Sequence, residues 1–491
     1  MIEKHILSKS TFMYGCQCTK RLHLHKYRPE LKNPVDERVQ YVKDSGSAVG
    51  LLAQQLFPGG VDASPPDSYS YQESVIKTRE LIAQGTSIIY EAVFQYEGVL
   101  CALDILVKEG DAWHAYEVKG AGSVKPQHVQ DAAFQYYVIT HCGIMLDDIS
   151  IVHVNSKYIR KGELDIQQLF KKQSILKEVV AEQSSVQRKI YQLKHVLAQP
   201  EPVTDIGPHC AAPYDCDFTN HCWQHIPKTD SVFDLGPNAA WKLYSDGHLH
   251  LDHIPQDYVL SKWVAHQLAH YRSGEPFVDQ EAIQRFLLSL QYPVYFLDFE
   301  TVWPGVPEFD DTRPFQQIPF QFSLHVQRSA GDKPEHYEFL GNGKTDPREM
   351  FVHELIATLG TVGSILCYNA TFEKTRIKEL IKLFPQQEVQ LSALTARISD
   401  LMTLFQKRFY YHPEFKGNYS IKNVLPVLCP DLRYDSLIIQ EGDTASKVYA
   451  QLKLQDEHTA AQQREHLLAY CKMDTLAMVK ILDWLRNAIP S

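Results

Sequence analysis

Between residues 90 and 120 the chain reads YEAVFQYEGVLCALDILVKEGDAWHAYEVKG, with apolar positions in three runs broken at Glu97-Gly98 and Glu109-Gly110-Asp111. Glycine beside an acidic residue is turn chemistry, so the stretch predicts three antiparallel strands. The next segment, PQHVQDAAFQYYVITH, predicts a helix. Helical and strand patterns alternate up to about residue 165. The 168–197 segment, rich in Lys, Glu and Gln, predicts one long amphipathic helix that leads to PEPVTDIGPHC and the second cysteine cluster, where the block ends near His225. Residues 226–285 carry Pro and Gly breaks and one predicted helix, 259–273, and read as a connector or small inserted module. From Gln291, YPVYFLDFET opens a second block. PFQFSLHVQRS and HYEFLG predict its next strands, followed by helix 347–359, strand SILCYN, helix 371–383 and a closing helix, 459–486. Strands alternating with helices predict an α/β protein. The expected divisions are 1–225, 226–285 and 286–491.

Length supports more than one core, because 491 residues exceed what a single domain packs. The composition, 44% hydrophobic and 22% charged, is that of a soluble globular chain. No segment approaches the ~18 consecutive apolar residues of a membrane helix. MIEKHILSKSTF has neither a long apolar stretch nor a small-residue cleavage site, so no signal peptide and a cytoplasmic location are expected. A net charge of −10 excludes a chain coated in basic surface, though not a local basic groove. Lys20, Arg21, Lys26, Arg28 and Lys32, interleaved with His23, His25 and Tyr27, suit either phosphate contact or a solvated helix face.

Of ten cysteines, Cys101, Cys142, Cys367, Cys429 and Cys471 stand alone and read as core thiols. Cys16 and Cys18, and then Cys210, Cys216 and Cys222, are clustered. In a cytosolic chain that points to a metal site rather than disulfides.

Asp298 and Glu300 interrupt the apolar run YFLDFET. Two apart on a strand, they project from the same face. Burying two carboxylates together is costly unless a cation lies between them or local hydrogen bonds satisfy them. Glu373 falls near a predicted helix start, where backbone N–H groups favour an anion. Tyr470 and Asp474 are four apart on a helix and share a face.

These segments resemble the DnaQ-like 3′–5′ exonucleases of the DEDDy subclass, which have an RNase H-like fold. Asp298 and Glu300 match the D-x-E motif, and Tyr470 and Asp474 match Y-x-x-x-D. The second motif, usually Asn-x-x-Phe-Asp, reads Asn369-Ala-Thr-Phe372-Glu373, with Asp400 in SDLMTLF as the alternative ligand. The resemblance implies phosphodiester hydrolysis with two Mg²⁺ or Mn²⁺ ions. Asp298 would bridge both ions, Glu300 and Asp474 would complete one site, and Glu373 would serve the other. Tyr470 would orient the attacking water. The aromatic and basic residues of FYYHPEFKGNYSIKNVLPVL, 409–428, suit base stacking and phosphate contact, or else are core and loop.

In the first block, Asp104 interrupts LCALDILV, and Glu117 and Lys119 stand two apart on the following strand. An exposed, salt-bridged hairpin would satisfy that pattern. An acid followed after twelve residues by E-x-K also resembles the PD-(D/E)XK nucleases. There the carboxylates hold Mg²⁺ and the lysine supports the developing phosphorane charge. GCQCTKRLHL and PHCAAPYDCDFTNHCW resemble the four-cysteine segments of RecB-like nucleases of the AddB and CRISPR-adaptation kinds. That resemblance implies a structural 4Fe–4S cluster on Cys18, Cys210, Cys216 and Cys222, with Zn²⁺ as the alternative. Gly50 stands where those relatives carry a histidine, leaving Glu91 as a third ligand, and Asp131-Ala-Ala-Phe-Gln135 replaces their Gln-x-x-x-Tyr.

The expectation is an N-terminal PD-(D/E)XK nuclease fold joined to a C-terminal DnaQ-like exonuclease fold. Its substrate would be DNA, at single strands or 3′ ends, with the first domain either cutting DNA or gripping it. The alternatives are an exoribonuclease and a non-catalytic nucleic-acid-binding protein.

Overall fold

A computed structural model describes residues 6–34, 37–65, 67 and 70–488. Residues 1–5, part of the stretch read for a signal peptide, lie outside the described residues. The chain forms two units, both mixed α/β. One comprises the residues up to Ile226 together with Pro304–Phe315; the other comprises Pro227–Trp303 and the chain from Gln316 onward. Among the described residues, no helix is long and apolar enough to cross a membrane.

The first unit is built on a sheet of seven strands: β1 (Leu7–Ser8), β2 (Val61–Asp62), β3 (Ile88–Tyr96), β4 (Val99–Glu109), β5 (Ala112–Lys119), β6 (Leu146–Val154) and β7 (Phe170–Ser174). The order is β2-β3-β4-β5-β6-β7, with β1 pairing parallel to β4. The β3-β4-β5 meander turns at the two predicted glycine sites. Helix Pro126–His141 then crosses over so that β6 runs parallel to β5. Phe12, in helix Lys9–Gln17, stacks on Phe134 at a ring separation of 4.5 Å within the core.

The 168–197 segment differs from its predicted single helix. Helix Leu176–Ala198 accounts for most of it, but Phe170–Ser174 is an edge strand paired antiparallel to β6. The unpaired edge of β6 gives those backbone groups partners, which outweighs a weak helical preference. The lysines of FKKQS suit an exposed edge.

Pro304–Phe315 belongs to the first unit through explicit bonds. The Arg160 backbone N–H donates to the Thr312 carbonyl at 3.1 Å and its carbonyl accepts from Asp311 N–H at 2.9 Å. Its guanidinium donates to the carbonyls of Pro307 and Glu308.

In the second unit β8 (Phe277–Val278) precedes β9 (Val294–Val302), β10 (Ile318–Gln327), β11 (Glu335–Leu340), β12 (Ser364–Cys367), β13 (Ile398–Asp400) and β14 (Tyr410–Tyr411). Five of these form a sheet in the order β11-β10-β9-β12-β13, while β14 pairs with β8. β9 is central, antiparallel to β10 and parallel to β12. Gly363 precedes β12 at φ +89°, where a Cβ would stand 2.1 Å from the Pro293 carbonyl oxygen, so only glycine fits. Helices Arg348–Leu359 and Thr371–Leu383 pack against this sheet through Phe351, Leu355 and Ile377.

The stretch read as a connector has a small core of its own within this unit. Val232, Leu235, Leu243, Leu251, Ile254 and Leu268 pack together around helices Pro237–Ser245 and Lys262–Ser273.

Candidate functional site

β9 presents Asp298 and Glu300 on one face, opposite Ser323 and Gln321 of β10. Helix Glu457–Ala488 lies across that face and is fixed there by buried polar bonds. Gln321 donates to the Leu467 carbonyl at 2.8 Å, and Thr475 Oγ1 lies 2.8 Å from both Ser323 Oγ and His325 Nδ1. This register turns the helical positions 470, 471 and 474 toward the strand carboxylates. Donor atoms of Asp298, Glu300 and Cys471 all fall within 4.8 Å of one another. The Cys471 thiol donates to Asp298 Oδ2 at 3.5 Å. Asp474 Oδ1 accepts a 2.6 Å bond from the Tyr434 hydroxyl. The Lys422 ammonium lies 5.5 Å from the Tyr470 ring centre and 5.7 Å from that of Tyr434.

Glu373 lies in the first turn of helix Thr371–Leu383, 2% exposed, and its Oε2 has no hydrogen-bond partner among the described residues. Both Asp400 oxygens are engaged. Oδ1 accepts from the backbone N–H groups of Asn369 and Met402, and Oδ2 from that of Ala370. Asp400 therefore braces the strand-to-helix turn, where Asn369 is left-handed at φ +75°, while Glu373 keeps an uncommitted buried oxygen.

Burial, then the Asp474 charge, pushes the Asp298 carboxyl well above the ordinary range. Burial and Asp298 do the same to Glu300 and to Glu373. Asp474 is pushed up to about 6, chiefly by burial, against the hydrogen bond from Tyr434. Burial and Asp474 hold the Tyr470 and Tyr434 hydroxyls protonated, so they serve as donors. Carboxylates so destabilised in their ionised form gain most from a bound cation. The donor set and the orphaned Glu373 oxygen fit divalent ions.

Sequence reasoning missed Cys471 and Tyr434 as parts of this cluster, and offered Lys422 only as one basic residue of the 409–428 stretch suited to phosphate contact. Cys471 directly follows Tyr470, so helical spacing alone placed it at the edge of the same face. Tyr434 carries no local signal. Of the aromatics in 409–428, Tyr410, Tyr411 and Phe415 are at most 4% exposed and belong to the core, which withdraws them from base stacking.

The first unit gathers a different set. Tyr90 pairs with Ile105 and Ala92 with Leu103, so the register runs through Glu91, at φ +53°, and sets it opposite Asp104. Asp104 Oδ2 accepts from Val118 N–H at 2.6 Å. Glu117, 2% exposed, accepts from Lys119 and from Lys9 on Oε1, each at 2.7 Å, and from Gln135 on Oε2 at 2.7 Å. Lys119 also donates to Asp131 at 2.5 Å. Asp131 and Gln135, one helical turn apart, thus serve the E-x-K strand. Burial pushes Glu117 up, but the charges of Lys119 and Lys9 outweigh it and hold the carboxyl below its usual range. Burial and Glu117 push Asp104 up to about 8 and Glu91 to about 7. Lys9, distant in sequence from the motif, left no signal.

Cys18, Cys210, Cys216 and Cys222 line one small cavity, while Cys16 lines another beside Lys9 and Lys119. All ten cysteines are free thiols. Among the described residues, no three of the four sulfurs lie within 4.8 Å of one another. A tetrahedral zinc with ~2.3 Å bonds needs sulfurs nearer ~3.8 Å apart. A cluster that gives each thiolate its own corner iron accepts a wider set. The flanking segments are joined directly. Gln17 donates to the carbonyls of His209 and Tyr214, and Arg21 bonds Asp217 at 2.8 Å. With Lys20 near Glu201, Lys32 near Asp217 and Arg28 on Glu30, much of the 20–32 basic stretch is internally paired.

The second unit is thus a mixed α/β unit whose central strand and closing helix enclose a buried acidic centre suited to cations. Residues 295–420, which include Asp298, Glu300, Glu373 and Asp400, match the family described as "Domain of unknown function (DUF2779)". The chain is 28% identical over 228 residues to the "Uncharacterized protein MG366 homolog" of Mycoplasma pneumoniae, covering 40% of this chain and 32% of that protein. It is 29% identical over 169 residues to the "Uncharacterized protein UU173" of Ureaplasma parvum serovar 3, covering 32% and 24%. The matched portion is about a third or less of the length of these curated relatives.

Proposed function

We propose that this protein is a metal-dependent DNA nuclease. Its second unit is read as a DnaQ-like, RNase H-like 3′–5′ exonuclease, and its first as a RecB-like PD-(D/E)XK domain that cuts or grips DNA. DNA repair or defence against foreign DNA is the natural setting. The observation that carries the reading is the convergence of Asp298 and Glu300 from β9, Asp474 from the closing helix and Glu373 from a third element around one buried centre.

Asp298, Glu300 and Asp474 would hold one ion, and Asp298 with Glu373 a second. Bound Mg²⁺ or Mn²⁺ supplies charge stabilisation at the attacking and leaving oxygens of a phosphodiester. The Cys471 thiol beside Asp298 favours the softer Mn²⁺. Tyr470, kept protonated, donates a hydrogen bond that orients water and is no base. Tyr434 fixes the Asp474 carboxylate, and Lys422 offers positive charge to a phosphate. In the first unit, the four-cysteine cavity would hold a 4Fe–4S cluster that pins the start of the chain to residues 204–222.

The test is a Mn²⁺ time course on end-labelled DNA and RNA strands. Wild-type protein shortens DNA from the 3′ end. Asp298→Asn lowers the rate by more than about a hundredfold, beyond the loss typical of an outer-shell partner. Faster shortening of RNA makes the protein an exoribonuclease, and equal rates for wild type and variant remove catalysis from this site.

A further inference from the structure

The carboxylates of the first unit are arranged quite differently from those of the second. Glu117 has no uncommitted oxygen: Oε1 receives two ammonium groups at 2.7 Å each, and Oε2 receives the Gln135 amide. Lys9 lies 2.7 Å from Glu117 Oε1 and 3.8 Å from Asp131 Oδ2. Lys119 spans the same two carboxylates at 2.7 and 2.5 Å. At Glu117 and Asp131 two acids are thus matched by two lysines, with the Asp104 and Glu91 carboxyls alongside.

A divalent cation binds through oxygen lone pairs and repels neighbouring ammonium groups. To reach Glu117 it would have to displace at least one lysine from a buried carboxylate. Nor is there a ready donor set. Among the described residues, the one group of three acidic or thiol donors within 4.8 Å is that of Asp298, Glu300 and Cys471. Lys9 is also firmly placed. It follows the fully buried Leu7 of β1, which pairs with β4, and it opens helix Lys9–Gln17, capped by Ser8. The residues available therefore do not fit the ion that a PD-(D/E)XK resemblance implies.

We propose that Lys9 stands in the metal position of the first-unit carboxylate cluster, so that this unit holds no divalent ion and grips nucleic acid without cutting it. The gripping role rests on the nuclease reading above; exclusion of the ion does not. The test counts tightly bound Mn²⁺ on the full-length chain by electron paramagnetic resonance. Glu117→Gln is expected to bind as many ions as wild type. Lys9→Met is expected to gain one ion, which Lys9→Met/Glu117→Gln loses again. A wild-type count that drops by one in Glu117→Gln overturns the proposal, and this comparison stands even if Lys9→Met does not fold. A folded Lys9→Met that gains no ion also overturns it. A wild type with no bound Mn²⁺, alongside a gain in Lys9→Met, supports the role of Lys9 while removing the proposed second-unit metal site.

Discussion

At the scale of single residues, the second-unit carboxylates make stability depend on pH in a definite direction. Asp474 titrates near about 6 in the folded chain, and Asp298, Glu300 and Glu373 lie well above their ordinary values. A raised carboxyl binds its proton more tightly when folded. Its contribution is complete below the unfolded value of ~4 and is lost as pH rises through the folded one. The first-unit acids Asp104 and Glu91 act in the same sense and Glu117 in the opposite one. Without metal, the unfolding midpoint should therefore fall between pH 5 and pH 8. Mn²⁺ should remove most of that fall, because ion binding favours the ionised carboxylates. Parallel melting curves in chelator and in Mn²⁺ check this, and identical pH slopes would contradict it. Asp298, Glu300, Tyr470 and Asp474 were legible in the sequence because periods of two and four bring them together. Tyr434 and Lys9 were not, because each joins its cluster through tertiary contact from a distant segment.

At the scale of elements, β9 positions the site and β12 supports it by parallel pairing, from Ser364 against Val294 onward. Gly363→Ala would force a Cβ onto the Pro293 carbonyl at a left-handed φ. It should cost about 1–3 kcal/mol of stability or more, read as a lower urea midpoint, and should weaken Mn²⁺ binding by moving Asp298. An unchanged midpoint would show that the strand entry can yield. The sequence located this sheet well. Helix 371–383 was read to its ends, and β9 to within a few residues, because apolar runs bounded by turn residues are local signals. It failed at 170–174, where pairing with an open sheet edge chose strand over the helical pattern. At 410–415 it left core and base stacking both open, and the burial of Tyr410, Tyr411 and Phe415 decides for core.

At the scale of the whole molecule, the sequence reading divided the chain after 225 and after 285, while the structure has two units, with Pro227–Trp303 in the second. It gave no hint that 304–315 belongs with the first unit, since that membership rests on backbone bonds to Arg160. The cysteine cavity supplies a test at this scale. Protein purified with its cluster should be brown and absorb near ~400 nm. Removing the cluster should open a new protease cut between residues 199 and 226. Colourless protein with stoichiometric zinc, or unchanged proteolysis, would refute the pin. The excursion of Pro304–Phe315 has a consequence for how the chain can be divided. Trimming at 226 would leave the larger piece carrying twelve residues that belong to the other unit, among them Val306, which packs against that unit's core. Separate expression of the halves should therefore yield a sticky C-terminal fragment unless that loop is replaced by a short polar bridge.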